Sequence, residues 1–367
     1  MAEVGGVRGA SAGRDGADVL VEVRGSAGWL TLNRPRALNA LTHGMVRLID
    51  AALARWEQDE RIAYVVLDGA GERGLCAGGD IRAIRDSALT DDGEAARAFW
   101  RDEYRLNARI ARFPKPYVAL MDGIVMGGGV GLSAHGDVRI VTERSRVAMP
   151  EAGIGFVPDV GGTRLLGRAP GELGTHLALT ADAMTGPDAL YCGFADHFVP
   201  SERLPALRAA LDGRQLADVL DAFTVPAPLV PESPLAQQRT WIDACYGPID
   251  GADCGPAAEE IVDRLADCGE GAAKEAAVRI LGHSPTAVKV TLQAVRRARA
   301  LGTLDAVLDQ EYRVSCAALT GPDFVEGVRA KLVDKDGEPR WSPGTLGEVT
   351  AEAVERHFEQ HFEQGSQ

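Results

Sequence analysis

The sequence predicts an α/β fold of repeated strand–strand–helix units followed by a helical C-terminal part. Three observations carry this. Short apolar runs alternate with stretches of helical spacing up to about residue 225. The turns after two successive strands are both rich in glycine. Beyond a proline-rich stretch at residues 224–234 (TVPAPLVPESP), Ala, Leu, Arg and Glu recur at helical spacing.

Taken in order, apolar runs at residues 19–23 and 29–32, separated by Gly25-Ser26-Ala27-Gly28, read as a hairpin. Thr42 is a plausible N-cap for a helix in which Met45, Ile49, Ala52, Leu53 and Trp56 repeat at helical spacing. Residues 63–67 form a buried strand, residues 69–79 a turn, and a short helix starts at Ile81. A helix at 94–112 is stopped by Pro114 and Pro116. A strand at 117–121, a glycine-rich turn, a short helix at 128–134 and a strand at 138–142 follow. Ser284-Pro285-Thr286 looks like a helix start with proline in its first turn. The chain divides into a tail without structure (1–17), an α/β core (18–225), a proline-rich linker (226–236) and a helical domain (237–360).

The formal net charge of -14 argues against nucleic acid as a partner, because phosphate contacts need clustered Lys and Arg. It does not exclude one polyanionic ligand on a local basic patch. Cys76, Cys192, Cys245, Cys254, Cys268 and Cys316 are scattered and read as free thiols, although Cys245 and Cys254 bracket a turn and could pair. No apolar run approaches a membrane span, and the first 17 residues lack an apolar stretch and include acids, so they read as a tail and as neither a signal nor a transit peptide. The expectation is therefore a cytoplasmic protein with no membrane partner. His43, His135, His176 and His197 show no zinc spacing, so no metal is expected.

Four segments carry chemistry: Asn33-Arg34-Pro35 with Leu38-Asn39-Ala40-Leu41; Cys76-Ala77-Gly78-Gly79-Asp80-Ile81; Met126-Gly127-Gly128-Gly129-Val130-Gly131-Leu132; and Met149-Pro150-Glu151 running on to Pro158-Asp159-Val160-Gly161-Gly162. Gly78-Gly79 and Gly127-Gly128 each follow a strand and precede a helix. Two such turns could aim one N–H each at a single oxygen, forming an oxyanion hole. Gly129 to Ala134 also matches a dinucleotide fingerprint, but that motif opens its domain and several elements precede it here. Tight packing alone is the plainer alternative. Glu151 and Asp159 each follow a proline and are bracketed by apolar residues, which suits desolvated acid–base groups as well as ordinary loop carboxylates.

These segments, in this order and spacing, resemble the crotonase (enoyl-CoA hydratase/isomerase) superfamily. The resemblance implies a spiral of ββα units, with Gly79 and Gly128 supplying the oxyanion hole for a thioester carbonyl. It narrows to the 3-hydroxyisobutyryl-CoA hydrolase branch. Hydratases of the family carry a glutamate where this chain has Gly131, whereas Glu151 and Asp159 match the hydrolase pair. The likeness continues through Glu103-Tyr104, Ser284-Pro285-Thr286, Glu311-Tyr312-Arg313, the stretch 323–330, Asp334-Lys335-Asp336 and Trp341, and covers about residues 18–358. It implies hydrolysis of a short 3-hydroxyacyl-CoA, as in valine catabolism, with no cofactor beyond the CoA of the substrate. Glu151 would act as nucleophile or general base, and Asp159 would bind the 3-hydroxyl or shuttle a proton. Glu103, Arg34, Asn39, Ala40 and Ala77 would contact substrate. Glu103 could also be a solvated helix acid, and Arg34 and Arg36 could make surface ion pairs instead of meeting phosphates. A hydratase or isomerase, a non-catalytic acyl-CoA binder and a homo-oligomer stay open.

Overall fold

The computed structural model describes residues 17–248 and 257–359. The expected tail, apart from Ala17, and Cys254 lie outside them; the described cysteines are free thiols. In chain order the elements of the first half are β1 (Val19–Arg24), β2 (Ala27–Leu32), α1 (His43–Glu57), β3 (Tyr64–Gly69), β4 (Gly74–Cys76), α2 (Ile81–Thr90), α3 (Glu94–Ala111), β5 (Tyr117–Met121), β6 (Ile124–Met126), α4 (Gly128–Ser133), β7 (Val138–Val141) and β8 (Arg146–Ala148). Then come α5 (Gly162–Arg168), α6 (Leu173–Thr180), β9 (Met184–Thr185), α7 (Gly186–Tyr191), β10 (His197–Phe198), α8 (Leu204–Leu211) and α9 (Leu216–Phe223). The rest is helical: α10 (Pro234–Tyr246), α11 (Ala258–Asp267), α12 (Gly271–Gly282), α13 (Pro285–Ala300), α14 (Leu304–Thr320), α15 (Pro322–Val328) and α16 (Ala351–Glu359).

After the β1–β2 hairpin, which lies wholly in the large sheet, each repeat lays one strand in each of two sheets. The large sheet has the order β1-β2-β3-β5-β7-β10 and the small one β4-β6-β8-β9. β3, β5 and β7 are parallel neighbours, and so are β4, β6 and β8. The chain thus climbs as a spiral, which is the α/β crotonase-like architecture. The strands β4, β6 and β8 have three residues each, too few to show a period, so none of the three is legible as a strand in the sequence. Their carboxyl ends sit side by side, the place where open parallel sheets present ligand-binding turns.

Alternation along the large sheet gives it two faces. Trp29, Tyr64, Val66, Val118 and Leu120 are covered by Leu204, Leu207 and Leu211 of α8 and Val219 of α9. Leu30, Val65, Leu67 and Ala119 face the main core, which also takes in Leu235, Ile261, Leu292, Leu308 and Phe324 from the C-terminal helices. Thr42 caps α1 and Ser284 caps α13, as the sequence indicates. α10 begins at Pro234, within the expected linker, because Ser233 caps it and both Ser233 Oγ and Leu235 N donate to Asp188 Oδ1. We propose residues 226–236 as the boundary between core and helical part, with the apolar core shared across it. Among the described residues no helix is long and apolar enough to cross a membrane.

Candidate active site

Three successive repeats deliver their chemistry to one edge. β4 ends in Ala77-Gly78-Gly79, β6 in Gly127-Gly128, and β8 in Met149-Pro150-Glu151. Gly78 and Gly127 have φ of 101° and 49°, a region that favours glycine. A methyl carbon placed on Gly128 would stand 3.4 Å from Gly79 N, and one on Gly78 would stand 3.5 Å from Gly128 N. The two amides therefore border one narrow gap. Leu41 N bonds Gly78 O and Asp80 N bonds Leu41 O, at 2.8 Å each, so the bonds that stitch this corner skip the Gly79 N–H. Gly128 opens α4, where the first N–H groups have no partner within the helix.

Two carboxylates approach the same helix start. Glu103 Oε1 would lie 2.5 Å from a carbon added to Gly128, and Glu151 Oε1 2.8 Å from one added to Gly127. Any side chain at either glycine would expel them. Glu103 comes from α3, whose buried stripe runs Ala96, Phe99, Trp100, Glu103, Asn107 and Ile110. The solvated-acid reading of Glu103 is thereby corrected: the residue lies on the inward face. Asp159 lies in the turn before α5, where its Oδ2 accepts from Tyr104 Oη at 2.7 Å. Tyr104 Oη in turn lies 3.0 Å from Ser315 Oγ of α14.

Glu103, Glu151, Asp159 and Glu311 are 2%, 6%, 5% and 1% exposed, so they form a buried group of acids. Burial first, and then the charge of Asp159, hold Glu103 and Glu151 well above the usual carboxylate range. Burial lifts Asp159 to about 7, against the bond from Tyr104 that pulls it down. Glu103 Oε1 and Glu151 Oε2 have no hydrogen-bond partner among the described residues. Each such buried atom costs about 1–3 kcal/mol until a donor from a ligand or water meets it.

Other expected contact residues behave differently. Asn39 is buried at φ 55°; its Oδ1 accepts from Arg34 N at 2.9 Å, and its Nδ2 reaches Leu75 O at 3.0 Å and Ala70 O at 3.1 Å. Its side chain latches the β4 corner in place. The Arg34 guanidinium bonds Ala40 O and pairs with Asp80 Oδ2 at 3.3 Å, while Arg36 is exposed. Ala77 and Ala40 are half-buried; Ala77 N bonds Leu38 O at 3.0 Å.

Sequence reasoning gave no role to Tyr104, Ser315 or Glu311. Glu311 on α14 accepts from Gly161 N (2.6 Å), Thr163 N (2.9 Å) and Thr163 Oγ1 (2.6 Å), clamping the turn after Asp159. The Glu311-Tyr312-Arg313 likeness was the available signal; the partner, some 150 residues away, was not legible. At Gly131, an added carbon would stand 2.6 Å from Val160 Cβ and 2.9 Å from Asn107 Nδ2. No side chain fits there, so the hydratase glutamate has no room.

The family described as enoyl-CoA hydratase/isomerase matches residues 27–358. The 3-hydroxyisobutyryl-CoA hydrolases, mitochondrial, of Danio rerio and Homo sapiens are each 42% identical, covering 94% and 93% of this chain and 90% and 88% of theirs. Among solved structures, a carnitinyl-CoA dehydratase from Mycobacterium thermoresistibile is 53% identical with a TM-score of 0.89, covering 94% of this chain and 97% of that one. An enoyl-CoA hydratase from Rhodobacter sphaeroides is 42% identical with a TM-score of 0.86, covering 94% and 97%. The relatives named mitochondrial overturn the expected cytoplasmic location, which rested on reading the first 17 residues, without an apolar stretch and with acids among them, as neither a signal nor a transit peptide. Over nearly its whole described length, this chain belongs to the enoyl-CoA hydratase/isomerase family.

Proposed function

We propose that the chain hydrolyses 3-hydroxyisobutyryl-CoA to 3-hydroxyisobutyrate and CoA. The observation that carries the reading is the buried Glu151 carboxyl set against Gly127 beside the two-amide gap, with Asp159 next to the Val160 that closes Gly131 to any acid. The curated relatives bear the name of this reaction.

The thioester oxygen accepts from Gly79 N–H and Gly128 N–H, which stabilise the developing oxyanion by about 3 kcal/mol per donor. Ionised Glu151 either attacks the carbonyl carbon, giving an anhydride that water then opens, or takes a proton from a water that attacks directly. Both routes break the C–S bond and add water across it. A proton shared among the buried carboxyls of Glu103, Glu151 and Asp159 goes to the leaving thiolate, and the water consumed in the reaction returns one to them. Asp159 meets the 3-hydroxyl, and Glu103 offers its free oxygen to the acyl end. CoA runs past residues 34–40 with Arg36 as the exposed cation.

The test compares thiol release from 3-hydroxyisobutyryl-CoA and isobutyryl-CoA. The reading requires the hydroxylated substrate to be preferred by at least about tenfold, the scale of one hydrogen bond to a charged group. Equal rates would remove the 3-hydroxyl from recognition. A second reading, water addition to or removal from an acyl chain, draws on Glu103, which places a second carboxyl at Gly128.

A further inference from the structure

Behind the Asp159 turn lies a cavity of about 500 Å³ between the ends of α3, α4 and α5 and the start of α14. Arg112, Arg139, Arg164 and Arg168 line it against a single carboxylate, Asp305. That is an unusual concentration of positive charge in a chain of net charge -14. Two of the arginines are neutralised. Arg112 bonds Asp305 at 2.6 and 2.7 Å, and Arg139 bonds Asp196 at 2.6 and 2.8 Å and Gly193 O at 2.7 Å. The other two are not. Among the described residues neither Arg164 nor Arg168 makes an ion pair, and Arg164 Nε is buried with no hydrogen-bond partner. The two residues stand one turn apart on α5 and line the same cavity, and Arg168, after burial, holds Arg164 below its usual value. Like charges brought together beside a cavity, one with an orphaned buried donor, call for an anion between them.

We propose that this cavity binds a phosphorylated small molecule, with Arg164 and Arg168 gripping its phosphate oxygens. The inference is independent of the hydrolase reading. The cavity also touches the candidate active site from behind. His135 lines it and its Nε2 lies 2.7 Å from Val160 O, next to Asp159. Arg164 follows Thr163, which Glu311 clamps. An occupant is thus placed to bias the turn that carries Asp159.

Inorganic pyrophosphate titrated calorimetrically into the full chain, with chloride balancing ionic strength, tests this. The structure predicts saturable binding that weakens at least tenfold in Arg168→Gln and is lost in Arg164→Gln/Arg168→Gln. Arg168 is exposed, so its variant folds whatever becomes of the double one. Thiol release by Arg168→Gln without pyrophosphate should stay within about twofold of wild type. Free CoA distinguishes the occupant. Two equivalents bound by wild type and one by Arg168→Gln make CoA's own phosphates the ligand; one equivalent in both assigns the cavity to a smaller phosphate ester. Pyrophosphate binding that is absent, or equal in wild type and both variants, overturns the proposal.

Discussion

Tyr104 donates its hydroxyl hydrogen to Oδ2 of Asp159 at 2.7 Å, with both side chains buried. The bond favours the charged carboxylate. Tyr104→Phe removes it, so the Asp159 pKa rises from about 7 and the acid limb of the kcat profile moves to higher pH. Glu103, Glu151 and Glu311 face the same cluster and keep the variant profile a coupled one. Affinity for free CoA should be unchanged. A profile superimposable on wild type would remove Tyr104 from control of Asp159.

Glu151→Gln should lower thiol release by about 10²-fold or more, the usual effect of losing a base or nucleophile. The fold should survive. A buried carboxyl whose folded pKa is raised contributes stability at low pH that is lost as pH rises through the folded value. The glutamine variant therefore gains relative to wild type as pH increases. Urea unfolding at pH 6 and pH 8 reads this, and an unchanged difference between the two pH values contradicts the raised Glu151 pKa.

Glu311→Gln replaces one of two accepting oxygens by an NH₂, so either Gly161 N–H or Thr163 loses its acceptor. The expected cost is about 1–3 kcal/mol in urea unfolding. Turnover should fall further than CoA affinity, since the loosened turn carries Asp159. Wild-type stability in this variant would show the clamp to be dispensable.

Gly131→Ala places a carbon 2.6 Å from Val160 Cβ, and the packing must give. Overpacking of this kind costs about 1–3 kcal/mol, and turnover should drop because Val160 adjoins Asp159. A variant as stable and active as wild type would mean that the pocket has slack, and that the missing hydratase acid is not a matter of space.

The repeated α/β pattern was legible because β3, β5 and β7 are apolar runs set off by helices and glycine turns. The three-residue strands that position the site were not, since so short a run carries no alternation. Glu103 was half-legible. Its neighbours Arg101 and Asp102 suggest a solvated run, but Phe99, Trp100 and Ile110 at helical spacing place it inside. Asn39 read as a substrate contact because it stands in a chemistry-bearing segment, whereas its amide is spent on backbone carbonyls more than 30 residues away. The Asp159–Tyr104–Ser315 chain joins residues separated by 55 and 211 positions, which only the fold brings together.

The central claim is thioester hydrolysis in a site without the hydratase acid. One measurement tests it most directly: free thiol from 3-hydroxyisobutyryl-CoA and loss of enoyl absorbance from crotonyl-CoA, followed in parallel on the same preparation. Rapid CoA release from the first is expected, with hydration of the second at least about 10²-fold slower, the scale of a missing proton-transfer group. Efficient hydration of crotonyl-CoA with no release of thiol would contradict it.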